Sequence, residues 1–232
     1  RRARAERWRA TTAAQGGAVP GELHYLEAVA AAAAGHPEKT QQLARRALET
    51  GFRDEAWAKR AAIQGPGRLE TGEPKERLHR VLSLAREETD PRHRAFALSV
   101  GTSLELGWCG ASRELGERIL EAAQLAKRAG DERMHAQCLS RAAPIWVNVD
   151  PARGGTIAAE AAQACERINM LAWQAEALGA QAMAQLAGGS DAASHRLFHA
   201  ATQLFERCGQ DAQRLVYLGF WGVAELASGT GE

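Results

Sequence analysis

Three stretches of the chain share one pattern of apolar and polar positions. Residues 125–139 read LAKRAGDERMHAQCL, residues 164–178 read ACERINMLAWQAEAL and residues 204–218 read LFERCGQDAQRLVYL. In each, a run with apolar residues three and four apart ends in Arg, passes a small or apolar residue and reaches Gly or Asn. A new run of the same spacing then begins and arrives at Leu. That spacing places apolar side chains on one face of a helix. Gly and Asn tolerate the left-handed conformation in which helices commonly end. The aligned breaks fall at Thr89, Gly130, Asn169 and Gly209, with spacings of 41, 39 and 40 residues. An earlier copy, LARRALETGFRDEAW at 43–57, puts Thr50 39 residues before Thr89.

A second break alternates with the first: GHPEKT at 35–40, GEPKER at 72–77, GWCGAS at 107–112, VDPARG at 149–154 and GGSDAA at 188–193. Pro37, Pro74, Pro91 and Pro151 stand where a helix begins, because the first helical position has no use for the missing N–H. Asp90, Asp150, Ser112 and Ser190 are placed to cap helix starts, and Gly35, Gly72 and Gly107 to end the preceding helix. The predicted first-of-pair helices are 21–34, 54–71, 91–107, 131–147, 170–187 and 210–227. The second-of-pair helices are 37–50, 74–88, 112–129, 152–168 and 190–208. Two helices per period of about 40 residues predict an all-α fold, a right-handed superhelical solenoid of antiparallel helix pairs. Residues 1–20 read as an Arg-rich linker or the end of a preceding element, and 21–232 as the repeat domain, five pairs plus one final helix. That helix, LVYLGFWGVAEL at 215–226, is apolar nearly all round and calls for a cover. The next repeat of a longer chain, or self-association through 210–227, would supply it.

Composition agrees with helix. Ala makes up about a fifth of the 232 residues, and β-branched residues are sparse. With 29 basic and 28 acidic residues the net charge is +1. This segment therefore lacks the basic surplus with which proteins bind nucleic acid directly. The RRARAERWR start, five Arg in nine residues, reads more readily as a solvated stretch than as a nucleic-acid or membrane-surface arm. No apolar run is long enough to span a membrane. The four cysteines, Cys109, Cys138, Cys165 and Cys208, have no CxxC spacing, so reduced thiols in a cytoplasmic protein are expected. No P-loop, HExxH or nucleophile elbow occurs. His195 and His199 share a helix face at i, i+4 but have no third ligand beyond Asp191 nearby. The expectation is no catalytic residue, no metal and no cofactor.

The first-of-pair helices carry small residues and Leu-Gly at fixed places: Ala175, Leu178, Gly179 and Ala182, then Leu215, Leu218, Gly219 and Gly222, with Ala136, Leu139, Ser140 and Ala143 one period earlier. This pattern resembles the tetratricopeptide repeat, with a longer period. It is similar to the tetratricopeptide-like sensor arm of large bacterial ATP-binding LuxR-type transcription regulators of the maltose-activator kind. The resemblance implies a non-catalytic module of a multidomain signalling protein that takes a protein, peptide or small-molecule effector in its concave groove. A peptide-pheromone receptor and a free-standing assembly scaffold are the alternatives. By repeat register the groove-facing residues are His93, Phe96, Met134, Gln137, Arg141, Trp173, Glu176, Gln213, Val216 and Phe220. Arg141, among Ala-rich turns, wants an anionic partner: Glu176, Glu105 or a ligand carboxylate or phosphate. Pro66 and Pro144 interrupt first-of-pair helices and predict kinks.

Overall fold

The computed structural model describes residues 21–33, 37–52, 55–64 and 73–228, and these are helical, with no strand among them. The Arg-rich stretch 1–20, Gly35, Pro66 and Gly72 lie outside the described residues, as does the side chain of Trp57. The helices are α1 (Gly21–Ala33), α2 (Pro37–Thr50), α3 (Glu55–Gln64), α4 (Pro74–Glu87), α5 (Pro91–Cys109), α6 (Arg113–Arg128), α7 (Glu132–Val149), α8 (Pro151–Arg167), α9 (Leu171–Ala187), α10 (Asp191–Arg207) and α11 (Asp211–Ser228). Odd-numbered helices are the predicted first-of-pair elements. Where the sequence reads as one array over 21–232, the described helices belong to two compact units, the first ending at Leu104 and the second beginning at Glu105.

In the first unit, α1 packs on α2 around Tyr25, Ala28, Leu43 and Ala47, with Phe52 edge-on to Tyr25 at 6.2 Å. In the second unit each helix from α6 to α10 packs on its successor, and α7 also meets α9 directly. Consecutive helices separated by so few residues must reverse direction. The core of this unit is built largely from Ala, which brings helix axes close. Its large buried members are Trp146, Phe198, Phe205, Leu115, Ile119 and Ile145.

Three of the aligned breaks and one of the alternating breaks share one hydrogen-bonded motif. Gly130 N–H donates to the Lys127 carbonyl (3.0 Å) and Asp131 N–H to Ala126 (2.9 Å). The same two bonds recur at Asn169/Met170, Gly189/Ser190 and Gly209/Gln210. This pairing satisfies carbonyls at a helix end that otherwise have no partner, and it needs a left-handed residue. The φ angles are 68° at Gly130, 54° at Asn169, 76° at Gly189 and 66° at Gly209.

Pro37, Pro74, Pro91 and Pro151 each open a helix. Ser112, Asp131 and Asp150 cap α6, α7 and α8 by accepting from the N–H of Leu115, Met134 and Arg153. Asp90 Oδ1 accepts from Arg92 N–H at 2.8 Å.

Several expectations need correction. Ser190 makes no capping bond. Gly107 does not end its helix: α5 runs to Cys109, and Gly110 takes the left-handed turn with φ 73°. Thr50 and Thr89 are not left-handed. Gly51 (φ 75°) makes the first turn, and after α4 the chain leaves in an extended conformation at Glu88. Pro144 lies inside α7, which runs from Glu132 to Val149. Cys138 and Cys165 are buried, and none of the four cysteines is in a disulfide.

Candidate functional site

The odd-numbered helices of the second unit bring one group of predicted residues together. On α7, Met134, Gln137 and Arg141 are half-buried and stand three and four apart, hence on one face. On α9, Trp173 and Glu176 are likewise half-buried. The Arg141 guanidinium lies 5.1 Å from the Trp173 ring centroid, inside the range of a cation–π contact. Burial raises the pKa of Glu176, and attraction to Arg141 works against that rise. Glu176 is therefore the anionic neighbour of Arg141. Glu105 is not: it pairs with Arg118, which also holds Glu114 at 3.0 Å.

Tyr217 of α11 was not among the predicted residues, yet it ties this group to the next helix. Its hydroxyl donates to the Glu176 carbonyl at 3.4 Å, and its ring stacks on Phe205 at 5.2 Å and 27°. The ring lies against Gly179, where an added Cβ would sit 2.0 Å from it. Burial, then the Glu176 charge, push the Tyr217 phenol well above its ordinary value. The signal for Tyr217 was present in the sequence: the small position Gly179 implies a large partner on the neighbouring helix.

The remaining predicted residues lie elsewhere. His93 and Phe96 belong to the first unit. His93 is buried, with Nδ1 3.4 Å from Asp90 Oδ2 at the start of α5. Phe96 receives the Arg60 guanidinium at 6.0 Å. Gln213, Val216 and Phe220 are exposed on α11, with Phe220 edge-on to Tyr217 at 5.9 Å. Trp146 is wholly buried, with Arg153 3.6 Å and Arg113 5.7 Å from its ring centroid, a packing element between α6, α7 and α8.

The chemistry of the cluster suits recognition. Burial is the main cause raising the Cys165 pKa, and the Glu176 charge adds to it, although the hydrogen bond between Cys165 and Ser140 (3.3 Å) opposes the shift. A thiol held neutral in this way is a poor nucleophile. His195 and His199 flank the Trp221 ring at 6.2 and 6.0 Å, and His195 Nδ1 lies 3.7 Å from Glu225, which holds α11 on α10. No group of three metal-ligating side chains occurs among the described residues. No described helix is long and apolar enough to cross a membrane. An open depression on α2, lined by Glu38, Gln41, Arg45 and Glu49 among others, has mixed charge and belongs to one helix face. Compared with known proteins, the chain matches no family model and no curated sequence.

Proposed function

We propose that the chain is a non-catalytic recognition module of tetratricopeptide-like helix pairs, in which the odd-numbered helices of the second unit line a concave groove. Within it the Arg141–Trp173–Glu176 row is the contact surface for an effector or partner protein. The observation that carries this reading is the Arg141 guanidinium laid over Trp173 beside a carboxylate that is costly to keep charged. A ligand carboxylate or phosphate arriving at Arg141 would meet a guanidinium able to form a charge-assisted bidentate pair. Trp173 offers the neighbouring apolar surface. The direct packing of α7 on α9 and the left-handed turns 39 and 40 residues apart support the solenoid reading. In a cytoplasmic bacterial regulator such an arm would relay effector binding to ATPase and DNA-binding domains elsewhere in the protein.

The test is titration of tryptophan fluorescence with short acidic peptides and with phosphorylated and carboxylated metabolites. A saturable change that Arg141→Gln weakens by about tenfold or more supports the reading, the size expected when a charged hydrogen bond is lost. Ligands that bind equally well to Arg141→Gln and to Trp173→Leu place recognition elsewhere on the chain.

A further inference from the structure

Helix α11 presents an apolar face that nothing described covers. Leu215, Val216, Leu218, Phe220, Val223 and Leu226 are 68, 53, 38, 43, 66 and 77% exposed. The four of these on or beside the outward line, Leu215, Leu218, Val223 and Leu226, expose on the order of 400 Å², about half of the ~800 Å² each partner gives to a standard interface. The inward side of the helix is fixed by Ala224, fully buried, with Tyr217 and Trp221 packed beside Phe198. By helical spacing Leu215, Gly219, Gly222 and Leu226 form the line opposite Ala224, with Leu218 and Val223 on its flanks.

This line reads the same in both directions. Leu215 mirrors Leu226 and Gly219 mirrors Gly222, both about one point between Phe220 and Trp221. That point lies near the middle of Asp211–Ser228. A helix patterned in this way is complementary to an antiparallel copy of itself, which is what a two-fold interface demands. Gly219 and Gly222 have no atom within 4 Å of an added Cβ, so two backbones can approach closely where they cross.

The charges fit as well. Arg214 pairs with Glu206 of α10 at 3.7 Å, and Glu225 with His195 at 3.7 Å. In the mirrored register Arg214 stands opposite Ala227, Glu225 opposite Val216, and Asp211 beyond the end of the partner helix. No like charges meet, and an uncharged face offers little to a charged partner.

We infer that α11 is a homodimerisation helix that pairs antiparallel with α11 of a second copy, crossing at Gly219 and Gly222. The interface is separate from the Arg141–Trp173–Glu176 surface, so each stands or falls without the other.

Sedimentation equilibrium of the chain from ~1 to ~100 μM is the first test, a span that covers micromolar association. A concentration-dependent monomer–dimer equilibrium is expected. Leu215→Lys or Leu226→Glu alone should weaken it by roughly a hundredfold, since each buries two unpaired charges per dimer. Both positions are exposed, so circular dichroism, and melting at concentrations where the wild type is monomeric, should stay as in the wild type. The double variant Leu215→Lys/Leu226→Glu should regain dimerisation, because in the mirrored register each Lys meets the partner's Glu. A wild-type chain that stays monomeric throughout overturns the inference in favour of another helix pair as the cover. A dimer insensitive to the single variants overturns it too, and single-variant losses that the double variant does not repair overturn the antiparallel register.

Discussion

At Glu176 and Gly179, two residues less than one turn apart, the same packing has opposite consequences for charge and for shape. Burial raises the Glu176 pKa although Arg141 resists. The folded state therefore holds that proton more tightly than the unfolded chain does. For a raised carboxylate the cost to stability is present above the folded pKa. It is relieved as pH falls toward the ordinary glutamate value of 4.5. Glu176→Gln should accordingly leave stability unchanged or higher at pH 7, and its advantage should shrink in acid. Urea melts of both proteins across pH 4 to 8 check this. A variant that is less stable at pH 7 and equal in acid would show that the attraction of Arg141 outweighs desolvation. Asp90 runs the other way. Its pKa is lowered first by the Arg92 N–H and further by His93, so its contribution is present above about pH 4 and is lost as pH falls through the depressed value. Gly179 responds to shape alone. Ala would ordinarily gain about 1 kcal/mol in a helix interior. Here its methyl would sit 2.0 Å from the Tyr217 ring, and overpacking of that kind costs about 1–3 kcal/mol. Gly179→Ala should lower stability on net, and adding Tyr217→Ala should cost less than the sum of the two single changes. Double-mutant analysis by denaturant melts reads the coupling directly.

At the scale of elements, the turns explain what could be read in advance and what could not. The Gly130, Asn169 and Gly209 breaks were legible because the left-handed helix end admits few residue types. The proline starts were legible because Pro fits only the first helical turn. Thr50 and Thr89 were aligned by spacing alone, and spacing says nothing about φ. The helix ends there are made by Gly51 and by an extended exit at Glu88. Pro144 stands inside a helix that continues to Val149, and Asn148 Nδ2 donates to its carbonyl at 2.8 Å. Arg141, Trp173 and Glu176 were found from helical register, whereas Tyr217 was missed because register ranks residues within a helix and not the gap left by a glycine on the next one. Asn169 gives the sharpest test of the turn logic. It is the non-glycine residue with positive φ among those described. Asn169→Gly should be neutral or stabilising by a few tenths of a kcal/mol, because Gly enters this region without strain. Asn169→Val should cost about 1–2 kcal/mol. Thermal melts that rank Val equal to Asn would mean that the turn relaxes at no cost.

Across the second unit, each helix draws its burial from immediate neighbours, and the supply is uneven. On α7, Ala136, Cys138, Leu139, Ala142, Ala143, Ile145 and Trp146 are almost fully buried, and α9 buries Ala175, Ala177, Ala180 and Ala182. On α11 Ala224 is the residue buried to that degree, while six large apolar side chains face outward. When stability is a sum over adjacent pairs, local opening is easiest where one neighbour is missing. Native-state hydrogen exchange should therefore find its slowest amides in α7, α8 and α9, with protection falling through α10 to α11. If a second copy covers α11, its protection should rise with protein concentration while that of α7 and α9 stays constant. Protection in α11 that equals α9 at low micromolar concentration would contradict the nearest-neighbour account. Protection that never responds to concentration would leave the outward face of α11 without a second copy to bury it.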